Sequence, residues 1–395
     1  MKRNYREALQ TILDASSERA LEYVTLENAL GRVLARDMHA RFDLPDADKC
    51  AIDGYTFRRD SVDAPGARLR IVDESRAGVA ATRRVEAGEA VFTMTGAVVP
   101  EGADTAVRIE DTSREGEEVI LHALPPKGSL INPAGSEIAR GERALQAGTR
   151  LDARKVALLA HLGHYRIPVR SRPRIGLVVS GDEVREAWEE HDRAGVRNSN
   201  LYLLQGLLEP WADLRYYGIV QDEPERMVPL FEQALRENDI LLSSGGASKG
   251  KYDFTAQIVQ ALDLDLHFTA TDIRPGRPLI FATREEKLFF GLPGYPSALL
   301  VNARLFLLPA LLKSVGAREE VPLFAVAEET LRSKEGRVDL VRVHVENRGG
   351  TLYLRNAPSQ QTSDYLSMAL CDGLAMLDAS RGSVEAGEVV PFLPF

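Results

Sequence analysis

Apolar positions recur along this chain with two different periods, and the changes between them mark out its parts. Beyond Arg174 the two periods take turns. Ile175–Val179 reads as a buried strand, Asn200–Leu208 as a helix, Leu214–Val220 as a strand and Glu225–Arg236 as a helix. Asp239–Ser244 then reads as a strand, Phe254–Leu262 as a helix and Leu266–Thr271 as a strand. Strands alternating with helices predict βαβ units and a parallel sheet. An apolar helix ends near Val315, and the remainder is β-like: Val338–Val345 alternates and Val389–Phe395 closes a small β-barrel.

Upstream the pattern differs. Tyr5, Leu9, Ile12 and Leu13 share one helical face, and Leu26, Leu30, Val33 and Leu34 another, with Thr25 placed as N-cap. From Ala67 to Leu124 short β-like runs (Leu69–Val72, Ala90–Met94, Val119–Leu121) lie between Gly and Pro. Ser129–Val169 is mixed, with a helix at Ala153–Leu162, so a β domain inserted into a helical one is expected. The predicted fold class is multidomain α/β plus β. It comprises a helical/mixed domain (1–40 and 128–170), an inserted β domain (41–127), a doubly wound α/β central domain (171–316) and a C-terminal β-barrel (317–395).

Composition narrows the possibilities. A chain of 395 residues is too long for one ordinary core. Its 44% apolar and 27% charged residues exclude wholesale disorder. A net charge of −9 lacks the basic surplus of a nucleic-acid binder. Met1–Tyr5 is not followed by a signal-like apolar region, and the longest apolar run, Ala298–Leu312, is interrupted by Asn302, Arg304 and Pro309, so no membrane span is predicted. Two distant cysteines, Cys50 and Cys371, fit a reducing cytoplasm.

Candidate chemistry collects where the predicted strands end. Three successive strands lead to Glu183, Asp222 and Asp253. Acidic residues often begin helices as caps, but three converging carboxylates repel unless a hard cation such as Mg²⁺ joins them. Gly245–Lys251 spells G-x-x-x-x-G-K, the phosphate-loop pattern, yet Tyr252 stands where Ser or Thr would hold Mg²⁺ and the loop follows the third strand. A nucleoside-triphosphatase loop is therefore rejected, and a glycine turn offering N–H groups to a phosphate is retained. Arg274 and Arg277, on a turn stiffened by Pro275 and Pro278, form a candidate oxyanion clamp, a solvated turn being the ordinary alternative. Gly291–Ser297 is a tight turn with Ser297 expected to cap the next helix. His161 and His164 imitate a metal pair, but no acidic third ligand lies near them in sequence.

Taken in order, six segments resemble one family, the molybdopterin molybdenumtransferases, which include the C-terminal part of gephyrin. They are Ala51–Tyr55, Thr95–Asp104, Ser180–Glu183, Ser244–Ser248, Arg274–Pro278 and Leu292–Pro296. The resemblance covers the whole chain. It implies an elongated four-part subunit that forms a homodimer, the β domain of one subunit reaching the α/β domain of the other. It also implies that molybdate is inserted into adenylylated molybdopterin, with Mg²⁺-assisted release of AMP and possible handover of the product to molybdoenzyme apoproteins. By position, Asp53, Thr95, Glu183, Asp222 and Asp253 match functional residues of the family. Gly245, Gly246, Ser248, Pro293, Gly294 and Pro296 match its pterin-nucleotide pocket.

This chain departs from the family at the site itself. Lys49-Cys50 replace Asn-Ser, Gly135-Ser136-Glu137 replace Gly-Glu-Asp, and Arg274 and Arg277 replace two lysines. Tyr295 stands for Asn and Asn198 for Asp. A planar guanidinium fork is not equivalent to a compact ammonium, which leaves the choice between molybdate and tungstate open. Two other readings stay beside the transferase: a molybdopterin adenylyltransferase, and a diverged non-catalytic pterin-binding or scaffold paralogue.

Overall fold

The computed structural model describes residues 2–190, 193–245, 252–318 and 321–395, the side chains of 252–256 excepted. It divides into two compact units, one of Arg36–Ala147 and Ala153–Arg166, the other of Met1–Ala35, Gly148–Asp152 and Ile167–Phe395.

The smaller unit is built on a six-stranded sheet in the order Thr105–Arg108, Gly54–Phe57, Glu89–Thr93, Arg68–Ser75, Glu118–Leu121, Thr112–Glu115. The β-like runs seen in the sequence are its strands. Their inward residues Tyr55, Phe57, Leu69, Val107, Val119 and Leu121 form one core. Two short ladders, Lys49–Cys50 with Ile131–Asn132 and Met38–His39 with Arg143–Leu145, and the helix Ala153–His161 complete it.

In the larger unit the first helix, Tyr5–Ala15, forms as expected, with the Asn4 side chain accepting from the Glu7 N–H as its cap. The second helix expected in this region does not form. Leu21–Thr25 is a strand beside Arg166–Arg170, Leu26–Asn28 makes one 3₁₀ turn, and Val33 and Leu34 are extended, bridged to Arg150 and Val169. Gly31, at φ +76°, breaks the helical spacing, Leu30 is left 63% exposed, and the Thr25 side chain caps nothing.

The centre of this unit is a sheet of β1 (Arg174–Ser180), β2 (Asp213–Val220), β3 (Ile240–Ser244), β4 (Asp265–Ala270), β5 (Pro278–Arg284) and β6 (Lys287–Leu292), in the order β2-β1-β3-β6-β5-β4. Helices α1 (Asn200–Leu208), α2 (Pro224–Glu237), α3 (Tyr252–Ala261) and α4 (Pro296–Ser314) connect and cover it. Alternation along each strand divides its residues between two cores. Ile175, Leu177, Leu242, Phe281 and Phe290 meet α1 and α4, whereas Val178, Leu241, Ile280 and Phe289 meet α2 and α3. The sheet is doubly wound but not wholly parallel: β2, β1, β3, β6 and β4 run one way, while β5, antiparallel to both of its neighbours β6 and β4, runs the other. The tight Glu285-Glu286 turn, with Glu285 at φ +53°, reverses the chain between β5 and β6 and sets that direction.

By length and composition α4 could cross a membrane, but 83% of its apolar window is buried in the core. A π segment, Ala303–Leu307, lies just before Pro309, a residue that cannot continue a regular hydrogen-bond ladder. The C-terminal strands β7 (Leu323–Ala327), β8 (Val338–Arg348), β9 (Thr351–Asn356), β10 (Gly373–Leu377) and β11 (Val389–Pro394) close on themselves, because β8 pairs with both β9 and β10. This is the expected barrel, filled by Ala327, Leu331, Val343, Leu354 and Phe392.

Candidate active site

Parallel strands bring their carboxyl ends to one edge, and β1, β2, β3 and β6 end there in Ser180, Val220, Ser244 and Leu292. β5 runs the other way, with Ile280 opposite Gly291, so the Arg274–Pro278 turn that leads into it reaches the same edge. From β1 the chain passes to β2 on one side, then to β3 on the other. Such a reversal opens a crevice beyond the ends of β1 and β3, the general ligand position in open α/β sheets.

Glu183 and Asp222 follow the ends of the neighbouring strands β1 and β2. Gly181 has φ +141°, and a Cβ there would lie 2.8 Å from Glu183 Oε2, so the exposed Glu183 carboxylate folds back over the glycine. Asp182 Oδ1 accepts from the Asp222 N–H at 3.2 Å, tying the two loops together. Asp222 is half-buried and stands before α2, whose N-cap is Glu223 and whose first residue is Pro224. Asp253 sits on α3, the helix after β3, and its side chain lies outside the described residues, as do Gly246 and Ser248. Among the described residues no three His, Cys, Asp or Glu side chains gather to hold a metal. His164 Nε2 meets the His39 carbonyl at 2.9 Å instead.

Gly245 opens the glycine turn at φ +105°, and a Cβ there would come within 2.3 Å of the Ser180 carbonyl oxygen. Only glycine lets β3 turn this close to β1. Asn200, the first residue of α1, fixes the neighbouring loop: its Nδ2 donates to Ser244 Oγ at 2.8 Å and to the Gly294 carbonyl at 2.9 Å. Pro293, Gly294 and Pro296 thus lie beside Gly245, and Tyr295 is 61% exposed between them. Ser297 does not cap α4. Tyr295 holds the cap position without a side-chain bond, and Ser297 Oγ donates to the Thr362 carbonyl.

The Arg274–Pro278 turn is held from several sides. The Thr271 N–H donates to the Arg277 carbonyl at 2.8 Å, and Ile273–Arg274 pairs in parallel with Val338–Asp339 of β8. The fully buried Asn302 donates through Nδ2 to the carbonyls of Gly276 (2.9 Å), Ala298 (3.1 Å) and Pro278 (3.3 Å). Both guanidinium groups are exposed, and neither pairs with a described carboxylate. Sequence reasoning singled out the arginines but not Asn200 or Asn302. A lone amide inside the apolar Ala298–Leu312 run was the available signal for Asn302.

In the smaller unit Asp53 and Thr95, distant in sequence, form one pair. Thr95 donates its backbone N–H and its hydroxyl to Asp53 Oδ1, and these bonds, the N–H first, hold the Asp53 carboxyl below the usual carboxylate range. Cys50 is buried nearby in sequence, its thiol donating to the Ile52 carbonyl and pushed up by burial.

Comparison with known proteins agrees with this geometry along the chain. Residues 3–163 match the MoeA N-terminal region (domain I and II), 176–313 a probable molybdopterin binding domain, and 325–395 the MoeA C-terminal region (domain IV). The molybdopterin molybdenumtransferase of a Nostoc species is 31% identical over 383 residues, covering 95% of this chain and 83% of the relative. That of Bacillus subtilis is 29% identical over 400 residues, covering 98% and 93%. The crystal structure of a molybdopterin biosynthesis MoeA protein from Pyrococcus horikoshii superposes with a TM-score of 0.86 at 29% identity, covering all of both chains. With three consecutive family regions, near full-length relatives and a shared fold, the chain belongs to the molybdopterin molybdenumtransferase family.

Proposed function

We propose that this protein inserts molybdate into adenylylated molybdopterin and releases AMP, with Mg²⁺ as the working cation. The observation that carries the reading is the single sheet edge on which carboxylates, a glycine turn and an arginine turn stand in a row. Glu183 follows β1 and Arg277 precedes β5, three strand spacings away, or about 14 Å. That separation suits a long anionic substrate whose pyrophosphate and oxyanion-receiving ends are handled by different groups.

Glu183 and Asp222, with Asp253, would hold the cation. The donor set is all oxygen, as a hard divalent ion requires, and Glu183 forms no ion pair among the described residues. Mg²⁺ bound there supplies Lewis acidity to the pyrophosphate oxygens. Gly245, with Gly246 and Ser248, cradles the pterin nucleotide beside Pro293, Gly294 and Pro296. Arg274 and Arg277 bind the incoming oxyanion, and Asp53, kept ionised by Thr95, orients water or molybdate. The protein acts as a cytoplasmic homodimer that hands its product to molybdoenzyme apoproteins.

Purified protein incubated with adenylylated molybdopterin, Mg²⁺ and molybdate or tungstate is expected to release AMP. Glu183→Gln is expected to lose at least tenfold of the Mg²⁺-dependent rate. ATP consumption in place of AMP release would assign an adenylyltransferase instead. Pterin binding without turnover would assign a scaffold.

A further inference from the structure

Glu186 is 9% exposed and no described cation pairs with it. A carboxylate withdrawn from water in this way needs donors, and two uncharged ones face it. The Tyr216 hydroxyl donates to its Oε1 at 2.6 Å, and Asn198 Nδ2 lies 3.4 Å from its Oε2. The same amide donates to Tyr216 Oη at 3.0 Å. Burial and the Glu186 carboxylate push the Tyr216 phenol well above its ordinary value, so it remains a donor.

These three side chains come from different places. Tyr216 lies within β2, and Glu186 and Asn198 lie at the two ends of an excursion from the sheet edge. The excursion begins immediately after Glu183 with a two-residue parallel ladder, Val184 opposite Val196 and Arg185 opposite Arg197. The Val196 N–H donates to the Glu183 carbonyl at 2.9 Å, and the Asn198 N–H to the Arg185 carbonyl at 2.8 Å. Arg197 donates to the Glu186 carbonyl at 2.8 Å, and Asn198 Oδ1 accepts from the Leu201 N–H of α1 at 3.3 Å. The backbone bearing Glu183 is therefore fastened to β2 and α1 through one buried polar cluster.

We infer that Glu186, Tyr216 and Asn198 are positioning residues for Glu183, and that the carboxylate at 186 and the amide at 198 are a matched pair. This rests on Glu183 serving a divalent cation, as proposed above. An aspartate at 198 could not donate to Tyr216 and would set a second carboxylate against Glu186. An added Glu186→Gln change would relieve that repulsion and supply a donor.

Mn²⁺ titrated into the full-length protein, with the free ion counted by electron paramagnetic resonance, tests this alongside the melting temperature. Tyr216→Phe and Asn198→Asp are expected to weaken Mn²⁺ binding by about 10–100-fold while the protein stays folded. The double variant Asn198→Asp/Glu186→Gln is expected to recover most of that loss. Glu183→Gln that binds Mn²⁺ like the wild type would overturn both the metal assignment and the inference. Loss of the ion in Glu183→Gln with unchanged binding in Tyr216→Phe would overturn the inference alone. A purely structural cluster would lower the melting temperature and leave the Mn²⁺ affinity of the folded protein untouched.

Discussion

Thr95 gives both of its donors to a single oxygen of Asp53, the backbone N–H at 2.7 Å and the hydroxyl at 2.9 Å from Oδ1. Because the folded-state pKa is lowered, this pair adds stability that is complete above the ordinary carboxylate value and is lost as pH falls through the lowered one. Under the role proposed for Asp53, the acid limit it places on activity lies below the ordinary carboxylate range. Thr95→Val keeps the N–H and removes the hydroxyl, so the Asp53 carboxyl should titrate at higher pH, read from its side-chain carboxyl carbon by NMR. An unchanged titration would show that the hydroxyl contributes nothing.

Arg277→Ala and Arg274→Ala should each raise the molybdate concentration needed for half-maximal AMP release. A hydrogen bond to a charged group is worth about 1.5–3 kcal/mol, or roughly tenfold and upward. The dependence on pterin substrate should move much less. Wild-type molybdate dependence in both variants would return the turn to a solvated role.

Asn302→Leu should disturb the same step without touching any ligand. It leaves the Gly276 and Pro278 carbonyls without their buried donor, at about 1–3 kcal/mol for an unsatisfied group. The turn then loses its tie to α4, and the molybdate requirement should rise in a protein that still binds pterin. Wild-type molybdate dependence together with a lowered melting temperature would make Asn302 a packing residue only.

Lys287→Met should lower stability at a distance from the site. Lys287 Nζ donates to the carbonyls of Leu235 (2.6 Å), Arg236 (2.9 Å) and Asn238 (2.9 Å), closing the C-terminal end of α2. Loss of this cap should cost about 1–3 kcal/mol and shift the melting temperature by several degrees in calorimetry. AMP release per folded molecule should be unchanged.

The periodicity of the sequence made the α/β core legible because its strands and helices bury alternate or spaced positions: α1 occupies the predicted Asn200–Leu208, and β3 begins one residue inside its predicted range. It misled at Leu26–Leu34, where apolar residues with helical spacing meet Gly31 and the segment pairs with distant partners, Arg150 and Val169, that no local pattern reveals. It missed the reversed direction of β5, which depends on a two-residue turn at Glu285. At the site, residue types flagged Glu183, Arg274 and Arg277. The fasteners Asn198, Glu186, Asn200 and Asn302 act through contacts between segments remote in sequence, and single amides carry no such signal on their own. Asn198 was legible only as a departure from a family pattern, and its reason lies in the buried carboxylate it faces.

The short pairing of Ile273–Arg274 with Val338–Asp339 makes the arginine turn an outer rung of the barrel's longest strand. The turn's order is then borrowed from the barrel. Amide hydrogens around Ile273 should exchange with solvent in step with those of Val338–Val343, and a chain cut after α4 would keep both arginines while losing the rail that sets their spacing. A barrel far along the chain thereby sets the backbone on which Arg274 and Arg277 stand, and with it the sharpness of the oxyanion choice proposed for that turn.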